Sequence, residues 1–164
     1  MNQKIIYPYI PEWREINYVN ASNFYMAWAR EFARLHSLDK VMPGAAVLVA
    51  DSIMTIGIGA NGSDYHQSHD CQRIILGSKT GEGYELCEGC HPKNHSEANA
   101  IQHAISNGYD PEGTDLYLWG HWWCCKPCWT AMIGAGINQV FLLEGSEILF
   151  NKEHPDNIVG RQFK

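Results

Sequence analysis

HSEANAIQHAISNG (95–108) and, soon after it, LYLWGHWWCCKPCWTAMIGAG (116–136) are the stretches of sequence that decide the fold. In the first, small and apolar residues recur at helical spacing and a glycine follows the last turn, which predicts a helix over 96–107. The second predicts a strand over 115–120 and then a helix over 126–134. Both helices therefore begin beside cysteine or histidine, the residue types most able to bind a metal.

Upstream of these stretches, the apolar pattern predicts one more helix and a hairpin. The helix runs from Ser22 to about His36, with Asn20 or Ser22 as its N-cap. Five residues at helical spacing would form its buried face: Phe24, Ala27, Trp28, Phe32 and Leu35. Short apolar runs at 45–51 and 55–60, joined by few residues, predict the two strands of a hairpin.

The order of the elements predicts an α/β protein. A strand at 139–144 follows the last helix, residues 1–19 look irregular, and 61–94 form a long loop rich in Gly, Ser and His. The order α-β-β-loop-α-β-α-β favours a central sheet covered by helices. The chain of 164 residues has the length of a single domain, 1–164, whose core spans about 22–145.

Composition and charge narrow the classes of function. No apolar run approaches the roughly 20 residues that a membrane-spanning helix needs, and the N-terminal segment lacks the long apolar core of a signal peptide. We therefore expect a cytoplasmic protein without a membrane partner. The net charge is −6, from 12 basic and 18 acidic residues, and Lys and Arg do not cluster, which argues against a polynucleotide partner.

The cysteines and histidines indicate a metal site. All six cysteines lie between residues 71 and 128, which in a reducing compartment is typical of metal binding. Cys125 and Cys128 form a CxxC pair, and His95 and Glu97 form an HxE pair. One imidazole and two thiolates would hold zinc and leave a fourth position for water, the pattern of a catalytic site. Zinc lowers the pKa of that water, and Glu97 would carry its proton.

Two simpler interpretations of these residues stay open. His95 could cap its helix while the cysteines are small core residues, or the CxxC pairs could build a zinc-binding module with no catalytic role. Both motifs occur in order, each at the start of a helix, which argues against the first interpretation. Glu97 argues against the second, because a structural zinc site has no need of a proton carrier.

A second CxxC pair, Cys87 and Cys90, lies just before the HxE pair. With Cys71 and one histidine it would complete a closed four-ligand zinc site that pins the long loop. The candidate histidines are His66, His69, His91 and His103, of which His91 or His103 is preferred. The alternative is that the three cysteines are reduced thiols buried in a packed loop.

Beyond the metal motifs, CQRIILGSKTGEGYELC (71–87), HSEANAIQHA (95–104) and the segment from LYL to LLEG (116–145) resemble deoxycytidylate (dCMP) deaminases of the cytidine deaminase superfamily. The resemblance implies a three-layer α/β/α fold with a central mixed sheet, a catalytic zinc ion, and hydrolysis of dCMP to dUMP and ammonia. Some members of that family carry a second, structural zinc. Members are usually oligomers, and some respond to dCTP and dTTP, so a homo-oligomer is expected.

The resemblance also implies substrate contacts. Asn61 matches an asparagine that contacts the sugar, and Ala46 lies on the strand that lines the base pocket. For a phosphate, Arg73 is suited to bidentate contact with an anion, and Lys126 at a helix N-terminus offers a similar contact; both are otherwise solvated surface residues.

The chain departs from the family pattern around the second motif. Cys124 takes the place of the usual proline, so Cys124 and Cys128 are an alternative thiolate pair, although the two-residue spacer favours Cys125. WGHWW stands where the family has a Thr-His pair, so His121 and Trp122, with Trp123, either contact the substrate or belong to the core. The unusual segment keeps open a deaminase of another nucleoside, nucleotide or base. A single-stranded nucleic-acid cytosine deaminase is disfavoured by the charge.

Overall fold

The computed structural model describes residues 3–164 and contains one five-stranded mixed sheet. Its strands are β1 (Ile16–Val19), β2 (Ala45–Ala50), β3 (Met54–Ala60), β4 (Asp115–Trp119) and β5 (Val140–Leu143). Their spatial order is β1-β5-β4-β2-β3. Strand β2 is antiparallel to β3 and β4, whereas β5 is parallel to β4 and β1. The predicted α/β fold with a central mixed sheet is confirmed.

Helices cover both faces of this sheet. They are α1 (Phe24–His36), α2 (Tyr65–Ser68), α3 (Gln72–Ile75), α4 (Ser96–Ser106), α5 (Lys126–Gly134) and α6 (Ser146–Leu149). Because successive strand residues point to opposite faces, Ala45 and Val47 of β2 pack with α1, while Ala46 and Leu48 pack with α4 and α5. The result is three layers. No helix within residues 3–164 has the length and apolar character needed to cross a bilayer.

The face that α1 buries differs from the predicted one. Met26, Ala29 and Ala33 are at most 1% exposed, whereas Phe24 is 69% and Trp28 41% exposed. The helix packs against β2 and β4, and this close approach favours small or flexible side chains over aromatic rings. Phe24 and Trp28 instead pack edge to face with each other on the outer side, with ring centroids 6.0 Å apart.

The N-cap of α1 also differs from the prediction. It is Asn23, rather than Asn20 or Ser22, because the Asn23 side chain accepts hydrogen bonds from Tyr25 N at 3.1 Å and Met26 N at 3.0 Å. Asn20 instead accepts from the Ser22 backbone N–H at 3.0 Å, within the turn that precedes the helix.

Two segments outside the predicted core pack on the fold. One adds a strand to the sheet, and the other covers the face of the sheet on which α1 packs. Strand β1 lies within 1–19, which the pattern had indicated as irregular, and it pairs with β5 as an edge strand. After β5, the chain returns across the sheet: Phe150 is 1% exposed and Phe163 stacks on Trp119 at 5.2 Å. The Gln162 side chain donates to Val41 O at 2.9 Å, which ties this C-terminal tail to the loop before β2.

The long segment 61–94 contains α2, α3 and three short 3₁₀ turns. It lies at the edge of the sheet where β3 and β4 end and α4 begins. Residues next to these three ends line one cavity of about 850 Å³. This cavity is where the metal-binding motifs meet.

Candidate metal centres and substrate cavity

His95, Cys125 and Cys128 come together at one end of the cavity. His95 directly precedes α4, and Cys125 directly precedes α5. His95 Nδ1 lies 3.2 Å from Cys128 Sγ and 3.6 Å from Cys125 Sγ, and the two sulfur atoms are 3.1 Å apart. The two helix N-termini thus aim one imidazole nitrogen and two sulfurs at the same point.

The three donors fit a zinc ion. Tetrahedral zinc, with Zn–S near 2.3 Å and Zn–N near 2.0–2.1 Å, holds its donors roughly 3.5–3.8 Å apart. The donor atoms here are 3.1–3.6 Å apart, so they need to separate by at most roughly 0.7 Å to bind the ion. A hydrogen bond from Cys128, together with the His95 imidazole, lowers the pKa of the Cys125 thiol to about 5, so this sulfur is a thiolate at neutral pH. Three protein donors leave one tetrahedral position open toward the cavity.

Glu97 faces the same cavity from the first turn of α4. It is only 4% exposed, so its carboxylate is shielded from bulk water. Cys124, by contrast, is 1% exposed and packs in the core between sheet and α5, outside the metal-binding group. The structure thereby distinguishes the two thiolate pairs left open by the sequence, since Cys125 and Cys128 carry the converging sulfur atoms.

A second group of donors lies in segment 61–94. His66, Cys71, Cys87 and Cys90 place all four donor atoms within 4.8 Å of one another. His66 Nε2 is 3.0 Å from Cys87 Sγ, and the Cys71 and Cys90 sulfurs are 3.6 Å apart. Three thiols and one imidazole match a closed, structural zinc site.

His66 therefore completes this group, and the preference for His91 or His103 is corrected. His91 Nδ1 accepts from Lys93 N at 3.0 Å, within the turn before α4. His103 Nδ1 accepts from Ile58 N at 3.1 Å, on the far side of α4. The CxxC turn also accommodates His66 closely: a Cβ atom at Gly89 would lie 2.7 Å from His66 Nε2.

Three of the expected substrate residues, Asn61, Arg73 and His121, line the cavity. Asn61 Oδ1 accepts from Gly44 N at 2.9 Å, and its Nδ2 donates to Met42 O at 2.8 Å, which leaves one N–H of the amide for a ligand. His121 follows β4 in the same wall. Burial, followed by the charge of His95, lowers the pKa of His121 to about 4, so its imidazole is neutral at physiological pH.

The other expected substrate residues are placed differently. Ala46 is 0% exposed in the core between sheet and helices, so it does not reach the cavity. Trp122 packs with the α1-side core and near Tyr7, and its neighbour Trp123 lines the cavity instead. The two neighbouring tryptophans of this loop therefore face different sides, and only Trp123 faces the site.

Arg73 lines the cavity, and two of its N–H groups are bonded to the protein. Nε donates to Glu82 O at 2.8 Å and Nη2 to Lys79 O at 2.9 Å. Lys40 and Lys152 also line the cavity, and none of these three cations forms an ion pair within residues 3–164. Lys152 lies in the C-terminal tail, beyond every motif, so no sequence pattern could have singled it out.

Comparison with known proteins agrees with this geometry. The profile of a family described as the cytidine and deoxycytidylate deaminase zinc-binding region matches residues 19–144. The dCMP deaminase of the cyanophage S-TIM5, solved in complex with dCMP and dUMP, has a TM-score of 0.51 at 20% identity, over 75% of this chain and 82% of that chain. Its apo form gives 0.50 at 21% identity, over 72% and 78%.

A more distant structural match is the diaminohydroxyphosphoribosylaminopyrimidine deaminase/reductase of Thermotoga maritima. It has a TM-score of 0.46 at 22% identity, over 72% of this chain and 28% of that chain. No curated protein sequence matches the chain at a significant level. The likeness to the cyanophage enzyme shows a shared fold.

Proposed function

Since the chain belongs to the cytidine and deoxycytidylate deaminase family and is a zinc-dependent deaminase, we propose that it hydrolyses dCMP to dUMP and ammonia. The observation that carries the proposal is the three-donor group His95, Cys125 and Cys128, which leaves a metal position open beside Glu97 in a cavity of nucleotide size. The cyanophage enzyme of the same fold binds dCMP and dUMP, which supports a pyrimidine nucleotide.

Glu97 is proposed to move the protons of the reaction. When bound, zinc supplies a water molecule acidic enough to attack at neutral pH. Glu97 takes the proton of that water and delivers it to ring nitrogen N3 as a C–O bond forms at C4. Glu97 then takes the remaining proton of the water, now on the C4 hydroxyl, and passes it to the 4-amino group, so that the C–N bond breaks and ammonia leaves. Burial of Glu97 keeps bulk water from competing for these protons.

Neutral groups in the cavity wall are suited to the nucleoside part of dCMP. The remaining N–H of Asn61 can donate to a sugar hydroxyl. A neutral His121 has one donor and one acceptor nitrogen, which matches the edge of an uncharged heterocycle. Trp123 offers an aromatic face on which a base can stack.

Lys40 and Lys152 are suited to the 5′-phosphate. They enter the cavity wall from two segments that are tied together through Gln162 and Val41. Neither forms an ion pair within the described part of the chain, so both ammonium groups can meet an anion. Arg73 stays a further candidate for this contact, since only its Nε and Nη2 donate to backbone carbonyls.

The test is ammonia release by the zinc-loaded protein from a panel of dCMP, deoxycytidine, CMP, cytosine and guanine. We expect dCMP to have the highest kcat/KM and Glu97→Gln to lose at least about a thousandfold in kcat while retaining its zinc. Preference for another compound would move the proposal to another nucleoside, nucleotide or base. Deamination of single-stranded DNA only, or equal turnover by Glu97→Gln, would overturn it.

A further inference from the structure

The imidazole of His95 is flanked by an aromatic ring from segment 61–94. The Tyr84 ring meets it edge to face, with centroids 4.8 Å apart and planes at 75°. Tyr84 is partly buried and packs against the core that includes Cys125 and Cys128. It belongs to a 3₁₀ turn, Tyr84–Leu86, directly before the second CxxC pair. No motif pattern singles out this tyrosine, and the proposed reaction gives it no role.

Arg73 packs over the ring of Tyr84. Its guanidinium carbon lies 4.6 Å from the centre of the Tyr84 ring, as a cation–π contact. The guanidinium is itself held by the carbonyls of Glu82 and Lys79 at 2.8 and 2.9 Å. A tyrosine ring held in this way has little freedom to rotate, so it restricts the orientation of the His95 imidazole.

A second contact links the same segment to His95. The backbone carbonyl of Cys90 faces the imidazole and accepts a hydrogen bond from it. Cys90 also contributes its sulfur to the four-donor group of segment 61–94. The orientation of His95 thus depends on residues that the second group of donors holds in place.

We propose that Tyr84, clamped by Arg73, is a positioning residue that keeps Nδ1 of His95 aimed at the sulfurs of Cys125 and Cys128. The inference rests on the proposed role of His95 as a metal ligand. An imidazole ligand binds a metal tightly only when its ring is already oriented, and partners of ligating histidines typically contribute 10–100-fold in affinity. The phenol oxygen is not required for this role, because the contact is made between the two aromatic rings.

The experiment compares Tyr84→Ala and Tyr84→Phe with Leu86→Ala as the matched control. Leu86 lies in the same turn, is 42% exposed, and belongs to neither group of metal donors. Zinc release to a chelator is followed at pH 7.5, and a Cys128→Ser variant identifies the release phase of the His95 group. Cobalt(II) absorption spectra report the geometry around the same group.

We expect Tyr84→Ala to weaken zinc binding in that phase by about tenfold or more and to alter the cobalt spectrum. Tyr84→Phe and Leu86→Ala should match the wild type. Arg73→Met, which keeps the tyrosine but frees it, should show a smaller loss in the same phase. Wild-type zinc release and an unchanged cobalt spectrum in Tyr84→Ala would overturn the inference.

These readouts are independent of substrate. If no nucleotide is deaminated but Tyr84→Ala still loosens zinc, the proposed function fails and the positioning role stands. If dCMP is deaminated and Tyr84→Ala binds zinc as the wild type does, the function stands and the positioning role fails. Thermal unfolding of each zinc-loaded variant separates a local loss of affinity from a general loss of structure.

Discussion

Cys124 and Cys125, adjacent residues just before α5, differ in whether their sulfur atoms join the metal-binding group. Cys125 Sγ is 3.1 Å from Cys128 Sγ, in the metal-binding group. Cys124 is 1% exposed in the core, and burial and the Glu97 carboxylate raise the pKa of its thiol well above the usual value. Its sulfur lies outside the group of converging donor atoms. The two-residue spacer in CKPC was therefore the informative sequence signal.

Lys152 gives a prediction at the scale of one residue. Replacing Lys152 with alanine should raise KM for dCMP roughly tenfold and leave kcat/KM for deoxycytidine unchanged, because a charge-assisted contact to phosphate is lost. Steady-state kinetics on both compounds measures the ratio. Lys126→Ala is the matched control: Lys126 is exposed at the start of α5 but is not part of the cavity wall.

Equal losses for dCMP and deoxycytidine in Lys152→Ala would contradict the phosphate assignment, since only the nucleotide carries the anion. A phosphate-specific loss in Lys126→Ala instead would return the phosphate to the N-terminus of α5.

Among the elements, β3 and α4 have the closest contact that positions the site. Glycines alternate along β3, and a Cβ atom at Gly57 would lie 2.5 Å from Ala100 O, while one at Gly59 would lie 2.4 Å from Ala100 N. The backbone of α4 thus rests directly on the strand. Because His95 and Glu97 are at the start of α4, this contact determines how far both residues lie from the sheet.

Gly59→Ala should therefore lower the free energy of unfolding by roughly 3 kcal/mol, since the methyl group would overlap backbone atoms of α4 that cannot shift independently. Urea unfolding of the zinc-loaded protein measures the change. The control is Gly134→Ala in α5, where no atom lies within 4 Å of the added Cβ. That variant should stay within about 1 kcal/mol of the wild type, on the stabilising side. A Gly59→Ala protein as stable as the control would refute the close contact.

The apolar pattern of helix α1 predicts the helix but not the face that it buries. The aromatic residues Phe24 and Trp28 dominate its apolar pattern, yet they are 69% and 41% exposed. Met26, Ala29 and Ala33 are buried against the sheet, because the sheet lies close to the helix and favours small or flexible side chains there. The existence and length of α1 follow from local spacing, whereas the choice of face depends on the shape of the surface it meets.

In the whole molecule, the second donor group holds together a segment with few other constraints. Residues 61–94 contain only short helical turns, and most of their side chains are exposed. The four-donor group joins the start of this segment, at His66, to its end, at Cys90. A bound metal would close the loop as a covalent cross-link does, by restricting the unfolded chain.

Zinc content is the prediction at this scale. The purified protein should hold two zinc ions per chain, because the His95 and His66 groups are separate sets of donors. His66→Ala should hold one and melt at a lower temperature, whereas His69→Ala should hold two. His69 is the matched control because it stacks on Tyr65 at 4.2 Å and lies outside the group. Elemental analysis with thermal unfolding measures both quantities.

One zinc ion per wild-type chain would contradict the second site, and none would contradict both. The homo-oligomer implied by the resemblance stays a prediction, and sedimentation tests it. Phe24 and Trp28, whose rings are exposed on α1, are the residues to substitute in that test.

The sequence by itself determined the main helices and strands of the core at 22–145 and the first metal group. Helical and strand spacing are local properties, and HxE and CxxC each lie within one turn, so short-range geometry placed His95, Glu97, Cys125 and Cys128 at helix starts. Only the tertiary structure decided which distant residues join them. His66, Lys152, Trp123 and Tyr84 reach the sites from segments far apart along the chain. Such contacts depend on how helices and loops pack around the sheet, and no local periodicity records that packing.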